Sequence, residues 1–219
     1  MYICGVVTVS DIEFLSEALA RQKILVTKKQ LDKLYRYANL ILNWNRVYNL
    51  TSVKVFDEVV IRHIVDSLSV VPYLSTRSFF SLLDVGSGAG LPGIPLSVVY
   101  PDVNFCLLEA REKRCIFLSQ VKAELDLPNA DVKWCRVRDF VSDEGYDVII
   151  SRAFSSLSEF VLCSRHLCGK GGCWYAMKGA YPEHEVRELS DDFVVLEWWP
   201  IKFVDTRASR CLLRIARKV

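Results

Sequence analysis

The chain has 219 residues, 51% of them hydrophobic, and its 28 basic and 26 acidic side chains leave a formal charge of +2. A chain of this size can withdraw roughly 70–75% of its unfolded surface from water, and its apolar content excludes disordered, collagen-like and low-complexity organisation. The near-balanced charge means that any face for nucleic acid must be local.

Ser10-Asp11-Ile12-Glu13 and Thr27-Lys28-Lys29-Gln30 are capping boxes, and each predicts a helix behind it. In the second helix Leu31, Leu34, Tyr35, Ala38, Ile41 and Leu42 form one apolar stripe at helical spacing, which predicts a helix to about Trp44. Val60, Ile64, Leu68 and Val71 predict a third, closed by Pro72. From about Ser78 the pattern changes, and buried strands are expected at 79–85, 103–108, 132–136, 146–151, 173–177, 194–199 and 211–215, with helices after most of them. Alternation of this kind predicts an α/β, Rossmann-like fold: a seven-stranded, mostly parallel sheet covered on both faces. Residues 1–74 read as an N-terminal helical cap and 75–219 as the sheet domain, packed together as one globular unit.

Cys4, Cys106, Cys115, Cys135, Cys163, Cys168, Cys173 and Cys211 lie scattered in apolar segments and read as small core hydrophobes. Cys163, His166, Cys168 and Cys173 come nearest to a metal site, but no CxxC pair occurs, so no metal is expected. The first ten residues lack the basic start of a signal peptide, and no apolar run approaches the roughly 18 residues of a membrane span. The expectation is a cytoplasmic protein with reduced thiols and no membrane association.

The strongest local signal is Asp84-Val85-Gly86-Ser87-Gly88-Ala89-Gly90-Leu91-Pro92-Gly93. Gly86, Gly88 and Gly90 let a strand-to-helix turn take positive φ and let a ligand touch bare backbone, while Pro92 suits the first turn of the next helix. Glu109 ends the second strand, where an acidic residue accepts a ribose diol. Gly88 to Gly93 also satisfies the GxGxxG dinucleotide fingerprint, so an NAD-dependent oxidoreductase stays open. A pyrophosphate would meet the Asp84 carboxylate unfavourably. S-adenosylmethionine, with its cationic sulfonium and ammonium groups, would not. Asp84 and Glu109 together therefore favour the methyl donor.

Asn43-Trp44-Asn45-Arg46-Val47-Tyr48-Asn49-Leu50-Thr51, Arg62-His63-Ile64-Val65-Asp66-Ser67, the glycine turn, Lys113-Arg114, Ser151-Arg152-Ala153-Phe154 and Lys178-Gly179 occur in an order that resembles one family. That family is the small-subunit ribosomal RNA methyltransferase G family, also called glucose-inhibited division protein B. The resemblance spans about Thr27 to Ile215; the first 26 residues look longer than the family needs and receive no function. It implies a class I S-adenosylmethionine-dependent methyltransferase domain and methylation of N7 of a guanine in 16S ribosomal RNA, G527 in the usual nucleotide numbering. The RNA would be presented in a small ribosomal subunit or an assembly intermediate, to an enzyme acting as a monomer. Cofactor contacts carry over to Gly86, Leu91, Val137, Arg138 and Arg152. Arg138 stands where the family has an acidic residue, which leaves a backbone contact at that position.

Candidates for the RNA face are Arg46, Tyr48, Arg62, His63, Lys113, Arg114, Arg152, Lys178 and Arg210. Arg152, Lys178 and Arg210 are the positioning candidates, the first two because they follow the fourth and fifth strands, on the edge where open α/β sheets bind ligands. His63 lies three residues before Asp66 on a predicted helix, so a structural hydrogen bond there stands beside RNA contact as its expected role. Lys113 and Arg114 also fit a plain solvated helix face. Arg207, Arg210, Arg214, Arg217 and Lys218 make the C-terminal tail locally basic. No catalytic base is expected, since guanine N7 has a free lone pair and no hydrogen to remove. A non-catalytic RNA-binding assembly protein is the remaining alternative.

Overall fold

The computed structural model describes residues 9–152, 154–202 and 209–218. The seven expected strands are β1 (Ser81–Val85), β2 (Asn104–Glu109), β3 (Ala130–Trp134), β4 (Tyr146–Arg152), β5 (Cys168–Lys178), β6 (Phe193–Pro200) and β7 (Cys211–Arg217). They form one sheet in the order β3-β2-β1-β4-β5-β7-β6. β1 to β5 pair in parallel, whereas β7 runs antiparallel to both β5 and β6. The expected mostly parallel sheet is therefore present. The chain steps outward from β1 to β3 and then returns to place β4 on the other side of β1. Ligands of open α/β sheets lie outside the carboxyl ends of the strands at such a reversal, which here means the residues just after Val85 and around Arg152.

The strands alternate between two apolar layers. Leu82, Phe105, Leu107 and Ile150 face a core shared with the helical cap, and Leu83, Leu108, Ile149 and Leu213 face a second core. The cap layer also takes α6 (Gly93–Val99) and α7 (Glu112–Glu124), while α8 (Leu157–Ser164) covers the second layer and α9 (Glu183–Arg187) follows β5.

The cap begins with α1 (Val9–Arg21), so the predicted box at Ser10 falls inside its first turn instead of ahead of it. The box at Thr27 forms as expected before α2 (Lys28–Tyr48): Gln30 N donates to Thr27 Oγ1 at 3.2 Å, and Thr27 N to Gln30 Oε1 at 2.8 Å. α2 runs past Trp44 because Asn45, inside it, anchors the loop that follows. Its Nδ2 donates to Val53 O and its Oδ1 accepts from Thr51 N, both at 2.8 Å. The helix leaves through Asn49 at φ 49°, a left-handed cap that asparagine tolerates.

The third predicted helix is three pieces: α3 (Phe56–Val59), a π-helical segment (Val60–Val65) and α4 (Asp66–Leu68). Pro72 does not close it. Pro72 sits in the first turn of α5 (Val71–Leu74), where its missing N–H has no helical partner to lose. No strand occurs among the described residues of the cap, and no helix among them is long and apolar enough to cross a membrane.

Candidate active site and cap cavity

The turn after β1 is hung on the end of β2. Gly86 N and Ser87 N both donate to Leu108 O, at 2.8 and 3.1 Å. Its three glycines have positive φ, 72° at Gly86, 60° at Gly88 and 92° at Gly90, but they face different surroundings. A Cβ on Gly86 would meet nothing within 4 Å, and one on Gly88 would come no closer than 3.7 Å to Arg114 Nη1. A Cβ on Gly90 would lie 2.5 Å from Ile94 Cγ1 and 2.9 Å from Leu118 Cδ2. Gly86 and Gly88 thus leave room for a ligand, while Gly90 leaves room for the helices beneath.

Tyr37 reaches this turn from the cap. Its buried hydroxyl donates to Ala89 O at 2.5 Å, although Tyr37 is not one of the stripe residues that the sequence of α2 shows. Leu91, proposed from the resemblance as a cofactor contact, is packed in the core on the cap side with its N–H on Ser87 O at 2.9 Å.

Glu109 is buried at the tip of β2. Its Oε2 accepts from Gly88 N at 2.8 Å and its Oε1 from Arg111 N at 2.9 Å. A carboxylate has about four lone-pair sites, so two backbone bonds leave capacity for a ribose diol. Arg114, expected on the RNA face, instead lies 3.5 Å from Glu109 Oε2 and close above Gly88. Open space over Gly86, the spare capacity of Glu109 and half-buried Val137 after β3 fit the adenosine part of S-adenosylmethionine.

Asp84 differs from its expected role. It is fully buried under the turn, where Oδ2 accepts from Gly93 N at 2.9 Å and Oδ1 has no partner. Burial pushes its carboxyl up to about 7, against the hydrogen bond from Gly93. Asp84 therefore does not discriminate against a pyrophosphate as expected, because its side chain supports the turn from below and does not face the ligand space.

Beside the turn, between cap and sheet, is a cavity of about 320 Å³ lined by Arg62, His63, Asp66, Arg152, Lys178 and Arg210 among others. Its floor is Asp66, nearly buried. Oδ2 of Asp66 accepts from Arg152 Nη1 at 3.0 Å and Oδ1 from Arg210 Nε at 2.9 Å. One carboxylate from the cap so fixes two guanidiniums from the ends of β4 and β7, a role that a single helical turn in the sequence did not signal.

His63 does not pair with Asp66. Its Nδ1 is 2.9 Å from Arg62 O and its Nε2 2.7 Å from Thr51 Oγ1. A carbonyl can only accept, so Nδ1 carries the proton and Nε2 accepts from the threonine hydroxyl. Burial, reinforced by the charge of Arg152, holds the ring down to about 4 and keeps it neutral. Lys178 is not a free cation either: Nζ binds Glu185 Oε2 at 2.7 Å and Phe154 O at 3.1 Å, and the same Glu185 oxygen receives Leu157 N at 2.7 Å.

The other candidates lie outside this cavity. Lys113 is exposed on α7, Arg46 is exposed near the end of α2, and Arg138 is exposed with its Nη2 3.9 Å from Glu159 Oε1. Much of the basic tail is engaged within the fold: Arg210 pairs with Asp66 at 2.9 Å and Arg214 with Glu197 at 2.6 Å, while Arg217 keeps its charge and donates to Arg165 O at 2.6 Å. Arg207 lies outside the described residues, as does Cys4. No group of metal-binding side chains occurs among the described residues. His166 Nε2 is 2.9 Å from Phe140 O, and burial pushes Cys163 up to about 11 and Cys168 up to about 12.

The sheet resembles that of a glycopeptide N-methyltransferase, MtfA, solved with S-adenosylmethionine: TM-score 0.59 and 12% identity over 70% of this chain and 87% of that one. A SAM-dependent methyltransferase from Aquifex aeolicus superposes with TM-score 0.56 and 16% identity over 68% and 89%. The fold with its glycine turn and terminal acidic residue is that of a class I S-adenosylmethionine-dependent methyltransferase.

The family model described as rRNA small subunit methyltransferase G matches residues 30–212. Proteins named Ribosomal RNA small subunit methyltransferase G are 41% identical over 201 residues in Chromobacterium violaceum, covering 92% of this chain and 95% of that one. In Stutzerimonas stutzeri the figures are 41% over 213 residues, with 97% and 99% covered. The chain belongs to the rRNA small subunit methyltransferase G family, which sets the dinucleotide reading aside. The Stutzerimonas match extends into the first 26 residues, so these are not an addition beyond the family's length.

Proposed function

We propose that this chain methylates N7 of a guanine in 16S ribosomal RNA, G527 in the usual numbering, with residues 1–74 as a substrate-side cap on the methyltransferase domain 75–219. The observation that carries this reading is Arg152. It stands at the end of β4, lines the cap cavity, and follows Ser151, whose Oγ donates to Val85 O at 2.8 Å where the glycine turn begins. Donor site and base cavity therefore share one wall. On the donor side Gly86 and Gly88 offer bare backbone, Glu109 accepts the ribose hydroxyls, and Val137 with the Arg138 backbone borders the adenine. Asp84, Gly90 and Leu91 keep the turn in shape from beneath. On the base side Arg62, Arg152, Lys178 and Arg210 surround the guanine and its phosphate, with Arg46 and Lys113 further out, while Arg114 stays on the donor side beside Glu109.

S-adenosylmethionine, when bound, supplies an electrophilic methyl group. The residues supply alignment, which in favourable cases contributes up to about 7–11 kcal/mol. N7 needs no base, and His63 is poorly placed to be one, since both its nitrogens are engaged. The base must leave its stack at a cost of a few kcal/mol, offset by contacts in the cavity. The enzyme acts in the cytoplasm as a monomer, on a small subunit or an assembly intermediate. Mass spectrometry of nucleosides from 16S RNA, with and without this protein and the donor, should show 7-methylguanosine at one guanine. RNA that is bound but never methylated would make the chain an assembly protein instead.

A further inference from the structure

A second cavity, about 310 Å³, opens at the end of α2 and is lined by Leu42, Asn45, Arg46, Asn49 and Lys54. It shares no lining residue with the cap cavity but adjoins it along the chain. Ser52 and Val53 line the first and Lys54 the second, so the two mouths lie on either side of one short loop. That loop is held in place by Asn45, through Val53 O and Thr51 N.

Arg46 and Lys54 converge on this cavity from different elements, and among the described residues neither makes an ion pair or side-chain hydrogen bond. The dipole at the end of α2 is offset by one cation in its last turn, Arg46; it gives no reason for Lys54. The cap cavity differs in degree, because Asp66 holds Arg152 and Arg210 and Glu185 holds Lys178, which leaves Arg62 as its lining cation without an ion pair among the described residues. The same end of α2 carries an aromatic column whose rings are not part of the cavity lining. Phe117 in the core meets Trp44 edge-on at 5.5 Å, and Trp44 stacks on Tyr48 at 5.0 Å and 28°. Tyr48, 44% exposed, is its outer end. Uncompensated cations beside an accessible aromatic ring are what a single-stranded polynucleotide requires.

We propose that this cavity is a subsite for the nucleotide adjoining the target guanine: Arg46 and Lys54 hold its phosphate, and Tyr48 stacks its base. The proposal rests on the cap cavity receiving the target base. The test is fluorescence anisotropy of the full chain with a labelled single-stranded RNA of about 11 nucleotides carrying one central guanine, across a salt series. Variants are Arg46→Ala/Lys54→Ala, Tyr48→Ala, and Arg62→Ala in the cap cavity, each checked for an unchanged melting temperature.

The double variant should weaken binding on the order of tenfold and flatten the plot of log K against log salt by roughly 1.4, the loss of two contacts to a single strand. Tyr48→Ala should weaken it on the order of tenfold. Affinity for guanosine monophosphate, which has no flank, should stay as in the parent. An unchanged salt slope in the double variant, with Arg62→Ala weakened, overturns the subsite and leaves the cap-cavity reading standing. A weakened double variant with Arg62→Ala unaffected supports the second cavity as an RNA site and removes the target base from the first. If no variant differs from the parent, both readings fall.

Discussion

Replacing Gly86 by alanine adds a methyl group where the turn faces open space, while the same change at Gly90 places one 2.5 Å from Ile94 Cγ1 and 2.9 Å from Leu118 Cδ2. Both residues have positive φ, so each variant pays a backbone cost of about 1–2 kcal/mol. Gly90→Ala adds overpacking against α6 and α7, worth about 1–3 kcal/mol, for a total of roughly 2–5 kcal/mol. Gly86→Ala should lose only the backbone part, yet its methyl occupies the space assigned to the methyl donor, and the donor Kd should rise at least about tenfold, roughly 1.4 kcal/mol. Urea denaturation read as midpoint and slope separates the two stabilities. Calorimetric titration with S-adenosylmethionine, at a temperature where both variants are folded, gives the affinities. Gly86→Ala binding the donor as tightly as the parent would refute the placement; Gly90→Ala as stable as Gly86→Ala would refute the assignment of Gly90 to packing.

Asp66→Asn leaves Arg152 and Arg210 without their counter-charge. Because these arginines keep 22% and 26% of their side chains in solvent, the expected loss is roughly 2–3 kcal/mol, below the full range for a broken buried pair. Turnover should fall as well, and an unchanged urea midpoint would show that solvent already screens the cluster. His63, held at about 4 instead of 6.5, contributes stability that is present above pH 6.5 and lost as the pH falls toward 4. The parent should therefore lose on the order of 3 kcal/mol more than His63→Gln over that window. Asp84, raised to about 7, acts in the opposite sense in both proteins and cancels from the comparison. Equal pH profiles of the melting temperatures would exclude a buried neutral His63. Single-turnover methyl transfer at saturating donor should be flat from about pH 6 to 9. A step near pH 7 that persists in Asp84→Asn would demand a general base.

The sheet, the box at Thr27 and the glycine turn were legible in the sequence because each rests on neighbours along the chain: strand periodicity, a cap closed within three residues, φ angles only glycine takes freely. The resemblance of ordered blocks added the donor and the reaction. Tertiary structure decided what each marked residue faces. Three glycines of one turn look alike as letters, yet only packing shows that two border open space and one makes room for helices. Lys178 carries a charge in the sequence that Glu185 cancels in the fold. Asp66 meets Arg152 and Arg210 across 86 and 144 residues of chain. No local pattern encodes such a meeting, because it exists only once the cap has docked on the strand ends and water has been excluded from between them.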